Sequence, residues 1–283
     1  MNNLLYHYSI ILGAFISLHC SIDYAGTFAI QSITSYDQVR DLFVSISPET
    51  LILFDVDDTL IEDDINDAFL HNVDDVPLSV CILFRLKHPS PLVPLYWESF
   101  RGMVWQRAPW CLIEANIVDL IKQMQQRGCA VLGLTSMESG SYGIITPYPE
   151  WRYAMLHGMG IDFSRIWPDT KFDNFPIYRC SKPILYKGIL CANQQPKGDV
   201  LKALLTTYDL HTSHIIFFDD SSKNLQSVGC TCQEMNIPCT LYHYQGAHNH
   251  AALPSTSILL HQLDQLYLAY SQDITTAMSH ITR

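Results

Sequence analysis

Short, nearly unbroken apolar runs punctuate this chain. Leu51-Ile52-Leu53-Phe54, Cys129-Ala130-Val131-Leu132-Gly133-Leu134 and Ile215-Ile216-Phe217-Phe218 are each too short for a helix and lack the alternation of a half-exposed strand. Such runs predict strands buried on both faces, as in a parallel sheet. A fourth strand is expected at 238–242. Between them the pattern is helical. Residues 112–126 place Ile113, Ile117, Leu120, Ile121 and Met124 on one side and stop at Arg127-Gly128. Residues 35–44 align Tyr36, Val39, Leu42 and Phe43, with Thr34 or Ser35 as cap. Further helices are expected at 149–158, 199–208, 224–230 and 257–270, and a β-hairpin excursion within 166–192. Strand–helix–strand order implies right-handed βαβ units in an α/β fold. Residues 65–110 show neither period and are broken by Pro77, Pro89, Pro91 and Pro94. They predict a mostly helical insertion over the strand ends. Its Trp97, Phe100, Trp105 and Trp110 either wall a pocket or fasten the insertion to the core.

The polar residues that follow the apolar runs carry the chemistry. The first run leads into Asp55, Asp57 and Asp58, the second into Thr135, the third into Asp219-Asp220, and Lys197 opens the helix before the third. Ligands of open parallel sheets bind outside the carboxyl ends of the strands. Carboxylates gathered there repel unless a cation or protons intervene, and Mg²⁺ suits such oxygen donors. Asp55 has the chemistry of a carboxylate nucleophile toward phosphorus, and Asp57 that of an acid/base. Thr135 is placed to donate to a phosphoryl oxygen, and Lys197 to clamp charge. Asp219 and Asp220 would complete the metal site. Leu60 stands where a calcium loop of the EF-hand type needs glycine, which excludes that reading. Glu62, Asp63 and Asp64 are expected as a solvated rim. His243, His248 and His250 are too irregularly spaced for a second metal and are expected in a solvated loop.

Composition narrows the partners. The net charge of −11 and the lack of any Lys/Arg-rich run argue against nucleic acid. A hydrophobic fraction of 48% over 283 residues supports a sizeable core. The apolar segment 9–18 fits the core of an export signal spanning 1–26, although no Lys or Arg precedes it and small residues are poorly placed around Ala25-Gly26. Export to the periplasm or beyond is therefore expected, with an uncleaved membrane anchor or a buried N-terminal segment as the alternatives. Cys129 and Cys239 are expected as buried thiols, and Cys180 and Cys191 as candidates for a bridge. No cysteine has an arginine at the sixth position after it, so a cysteine-based phosphatase loop is absent.

Asp55-Val56-Asp57-Asp58-Thr59, the strand ending in Thr135, Lys197 opening a helix, and Asp219-Asp220 with Asn224 beyond occur in order. In this the chain, over roughly residues 30–245, resembles the haloacid dehalogenase (HAD) superfamily. The segment 241–247, with the N-terminal apolar run, is similar to a secreted bacterial branch of those proteins. The resemblance implies a Rossmann-like three-layer sandwich with a central parallel sheet, formed by 27–64 and 111–283, and a small helical cap at 65–110. It implies a Mg²⁺-dependent phosphatase that forms an aspartyl-phosphate on a small-molecule or protein phosphomonoester. Asp55 would be nucleophile and ligand, Asp57 acid/base and carbonyl ligand, and Asp220 direct ligand, with Asp219 or Asn224 behind it. Two departures matter. Met137 stands where many relatives carry arginine, and Asn224 where many carry aspartate. Dehalogenation is disfavoured by Asp57; phosphotransfer or mutase chemistry would use the same residues. The alternative is a non-catalytic or weakly active binding or effector protein on the same fold.

Overall fold

The computed structural model describes residues 28–63 and 110–247, together with residues 86–87, 102, 105–106, 256–257, 260–261, 264–265 and 268. The expected leader at 1–26, most of the insertion, and His248 and His250 lie outside the described residues. The chain begins with an edge strand β1 (Ile30–Ile33), a 3-10 turn (Tyr36–Val39) and helix α1 (Arg40–Ser45). The Ser35 hydroxyl caps this entry by accepting from the Asp37 N–H. Strand β2 (Thr50–Phe54) follows, then a ribbon of β3 (Ile61–Asp63) and β4 (Trp110–Leu112). Next come α2 (Ile117–Gln126), β5 (Ala130–Thr135) and α3 (Tyr148–Gly158). The remainder is β6 (Thr170–Lys171), β7 (Ile184–Tyr186), β8 (Ile189–Cys191), α4 (Lys197–Thr207), β9 (His214–Asp219), α5 (Ser222–Glu234) and β10 (Cys239–Tyr244).

Eight strands form one sheet in the order β1-β10-β9-β2-β5-β8-β7-β6. The six from β1 to β8 run parallel, and β7 and β6 close one edge antiparallel. Strand parity makes two cores. Ile52, Phe54, Val131, Ile216 and Phe218 face α1, α2 and α3; Leu51, Leu53, Leu132, Ile215 and Phe217 face α4 and α5. The result is the Rossmann-like α/β sandwich expected from the buried runs, with helices on both faces of a mostly parallel sheet.

Several local expectations are corrected. The β-hairpin expected within 166–192 is formed by β7 and β8, but it is part of the sheet and not an excursion from it. A Lys187-Gly188 turn with positive φ at both residues reverses β7 into β8, and β8 enters the central sheet beside β5. Gly188 is required there twice over, since a Cβ would meet Phe163 Cβ at 2.7 Å and the Ser164 carbonyl at 2.8 Å. Cys180 is exposed and Cys191 buried, and both are free thiols, so that bridge is not formed; burial pushes the Cys191 thiol to about 12. Cys129 is buried as expected, while Cys239 is only half-buried. Glu62 is not on a solvated rim: it is buried in β3, opposite Cys111 of β4. Trp110 lies in β4 paired with Asp63, and Trp105 stacks on Tyr142 at 4.6 Å, so these two rings are fastened to the core. Trp97 and Phe100 lie outside the described residues. Among the described residues no helix is long and apolar enough to cross a membrane.

Candidate active site

β2 is the point where the winding of the sheet reverses. The chain proceeds from β2 to β5 and β8 on one side, then returns to lay β9 and β10 on the other. A crevice opens outside the carboxyl ends of neighbouring strands at such a reversal. Asp55 leaves β2 there, its N–H donating to the Phe218 carbonyl of β9 at 2.8 Å. Parity continues past the strand end, so Asp55 and Asp219 point to the face covered by α4 and α5. Their partner arrives on that face. Backbone N–H groups of Ala192, Asn193 and Gln194 donate to the carbonyls of Thr135, Met137 and Ser136, tying the segment after β8 to the segment after β5. Pro196 then starts α4, with Lys197 at its first position.

Lys197 is 1% exposed and its Nζ lies 2.7 Å from Asp55 Oδ1 and 2.6 Å from Asp219 Oδ2. The other Asp219 oxygen accepts from the Ser221 N–H at 2.8 Å and from Asn224 Nδ2 at 3.1 Å. Asp219 is thus completely buried with both oxygens engaged. Carboxylate oxygens of Asp55, Asp219 and Asp220 lie within 4.8 Å of one another. Burial, then repulsion from Asp219, holds the Asp55 carboxyl well above the usual carboxylate range, against the opposing pull of Lys197. Asp220 is raised for the same two leading reasons. Burial would lower the Lys197 ammonium, but the charges of Asp55 and Asp219 outweigh it and hold it up.

The remaining expected residues divide. Thr135 is buried at the end of β5, next to β2, and its hydroxyl accepts from the Met137 N–H at 3.2 Å. Asp57 does not join the three carboxylates. It sits in the tight turn after β2, where Asp58 takes φ +57° and donates its N–H to the Ile61 carbonyl. Its carboxylate instead meets Arg152 of α3, Nη2 to Oδ1 at 2.8 Å. Sequence reasoning missed Arg152, because a cation in an ordinary-looking helix carries no local signal of a distant acidic partner. Met137, at the departure from the related pattern, is buried among apolar neighbours. His243 is in β10 rather than in a solvated loop, with Nε2 2.7 Å from the Asp220 carbonyl. It therefore braces the backbone of a site residue.

Residues 32–279 match the family described as "Protein of unknown function (DUF2608)". The chain belongs to that family. Two similar sequences are the uncharacterized proteins RP296 and RP295 of Rickettsia prowazekii. RP296 is 26% identical over 221 residues, 75% of this chain and 77% of that protein. RP295 is 24% identical over 139 residues, 47% of each. A HAD family hydrolase of Salmonella enterica serovar Typhi superimposes over 75% of the DUF2608 chain and 78% of its own, with 13% identity and a TM-score of 0.34. That likeness is too distant to bear on activity.

Proposed function

We propose that this DUF2608 protein is a Mg²⁺-dependent phosphatase of HAD type that hydrolyses a phosphomonoester through an aspartyl-phosphate on Asp55. The observation that carries the reading is the meeting of Asp55, Asp219 and Asp220 with Lys197 where the winding of the sheet reverses. Three carboxylates sharing 4.8 Å suit a hard divalent cation, and the raised Asp55 and Asp220 carboxyls are what such a cation would relieve. Asp55, Asp220 and the Asp57 carbonyl would hold it. Asp219 would brace the set, since its oxygens already accept from Lys197, Ser221 and Asn224. When bound, Mg²⁺ would offset the paired carboxylates and draw charge from the phosphoryl oxygens.

The protein's own groups supply the rest. Asp55 attacks phosphorus while the leaving oxygen departs with a proton from Asp57. Lys197 fixes the attacking carboxylate through Oδ1, and the Thr135 hydroxyl donates to a phosphoryl oxygen. Asp57, now ionised, takes a proton from water, which attacks the acyl phosphate and releases phosphate and the free Asp55 carboxylate. The expected leader would place this reaction outside the cytoplasm; mass spectrometry of the mature N-terminus tests that. The activity is tested with p-nitrophenyl phosphate. Turnover that needs Mg²⁺, stops with chelator and is lost in Asp55→Asn supports the reading. Turnover unchanged in Asp55→Asn sinks it.

A further inference from the structure

Arg152 is an expensive residue in an unusual setting. It is 1% exposed, yet its carboxylate partner Asp57 has a side chain 42% exposed. The guanidinium lies over two indoles, with Cζ 5.0 Å from the centre of the Trp110 ring and 5.1 Å from that of the Trp151 ring. Besides Asp57 the guanidinium is hydrogen-bonded with the buried Tyr148 hydroxyl and has Nη1 3.7 Å from the Met155 sulfur, while Nε has no hydrogen-bond partner among the described residues. A buried guanidinium with a single carboxylate partner and an unpartnered Nε is a poor way to stabilise a fold; an apolar side chain of similar length usually does as well or better. The pair is also mechanically lopsided. Arg152 is held by α3, by β4 through Trp110, and by stacking, whereas Asp57 projects from a turn with solvent beside it. The immobile partner therefore sets the direction of the mobile one.

We propose that Arg152 is a positioning residue that fixes the Asp57 carboxylate in the orientation used for proton transfer. The proposal rests on the phosphatase reading, in which Asp57 is the acid/base. Arg152 acts through Asp57 and not on the substrate. Because the Asp57 side chain is 42% exposed, removing the guanidinium strands no buried charge, and Arg152→Lys, which keeps a cation in place, controls for any loss of folding in Arg152→Met.

The test is steady-state hydrolysis of p-nitrophenyl phosphate with Mg²⁺ by wild type, Arg152→Met, Arg152→Lys, Asp57→Asn and the Arg152→Met/Asp57→Asn double variant. Misplacement of a reacting group costs on the order of 10- to 100-fold. Arg152→Met is expected to lose about that much kcat with KM within roughly twofold, and Arg152→Lys to recover part of it. In the double variant the loss is that of Asp57→Asn alone. A raised KM with intact kcat in Arg152→Met, or losses that multiply in the double variant, overturns the proposal. A diffraction comparison needs no turnover. The Asp57 carboxylate leaves its wild-type rotamer in Arg152→Met if Arg152 positions it, and an unmoved carboxylate overturns the role. A wild type without Mg²⁺-dependent turnover defeats the phosphatase reading, and the diffraction comparison then decides the positioning of Asp57 by itself.

Discussion

Lys197 makes the two most buried acids of the site tolerable. Asp219 is completely buried, and without the ammonium at 2.6 Å its charge would keep only a backbone N–H and an amide. Lys197→Met is therefore expected to cost roughly 3–5 kcal/mol of stability, measured by urea unfolding. Asp220 behaves oppositely. Its folded pKa is raised, so the folded chain binds its proton more tightly than the unfolded chain does. The stability tied to that proton is present below the ordinary carboxylate range and lost as pH rises through the folded value. In metal-free protein, Asp220→Asn should raise Tm at neutral pH by about 2–4 °C, the equivalent of roughly 1 kcal/mol. That advantage should shrink as the pH is lowered toward about 4. Added Mg²⁺ should raise the wild-type Tm and leave Asp220→Asn unmoved. Asp55, Thr135, Lys197, Asp219 and Asp220 stand where the sequence puts them, after a buried run or at the start of a helix, and the structure brings Asp55, Lys197, Asp219 and Asp220 together. Arg152 and His243 were not legible in the sequence, because their meaning lies in a partner from another element.

At the scale of elements, α4 carries Lys197 into the site only by lying very close to α5. The Gly198 N–H donates to the Ser227 hydroxyl at 2.9 Å, and a Cβ on Gly198 would meet the Ser227 carbonyl oxygen at 2.1 Å. Backbone cannot yield as a side-chain tip can. Gly198→Ala should cost about 1–3 kcal/mol and lower kcat by displacing the adjacent Lys197; unfolding and turnover measured on the same variant check both effects. The helices and long strands were readable from periodicity, since their apolar faces are broad. The short elements were readable only in part: the hairpin within 166–192 was expected, its place in the central sheet was not. β8 has three residues, and its place beside β5 depends on the Lys187-Gly188 turn and on pairing with a strand more than fifty residues earlier. β3 and β4 are of the same kind: each is three residues long, and the ribbon joins segments separated by the whole insertion. Glu62 looked like a solvated acid because only its chain neighbours, and not β4, are visible along the sequence.

For the molecule as a whole, the order of strands does the organising. Reversal of the winding at β2 brings Asp55 beside Asp219, and strand parity turns both toward the helix that begins with Lys197. The same geometry leaves Asp57 on a separate turn, where α3 supplies Arg152. Fold class followed from the buried runs together with the amphipathic helices between them, a combination that a parallel sheet covered on both faces accommodates. Asp55 as nucleophile is the central step of the proposed reaction, and its most direct measurement is chemical. Enzyme acid-quenched during turnover of a phosphomonoester with Mg²⁺ is reduced with borohydride, digested and read by peptide mass spectrometry. Homoserine is expected in place of aspartate at position 55 and nowhere else. Unmodified Asp55 in enzyme that is turning over, or the modification at another residue, would contradict it.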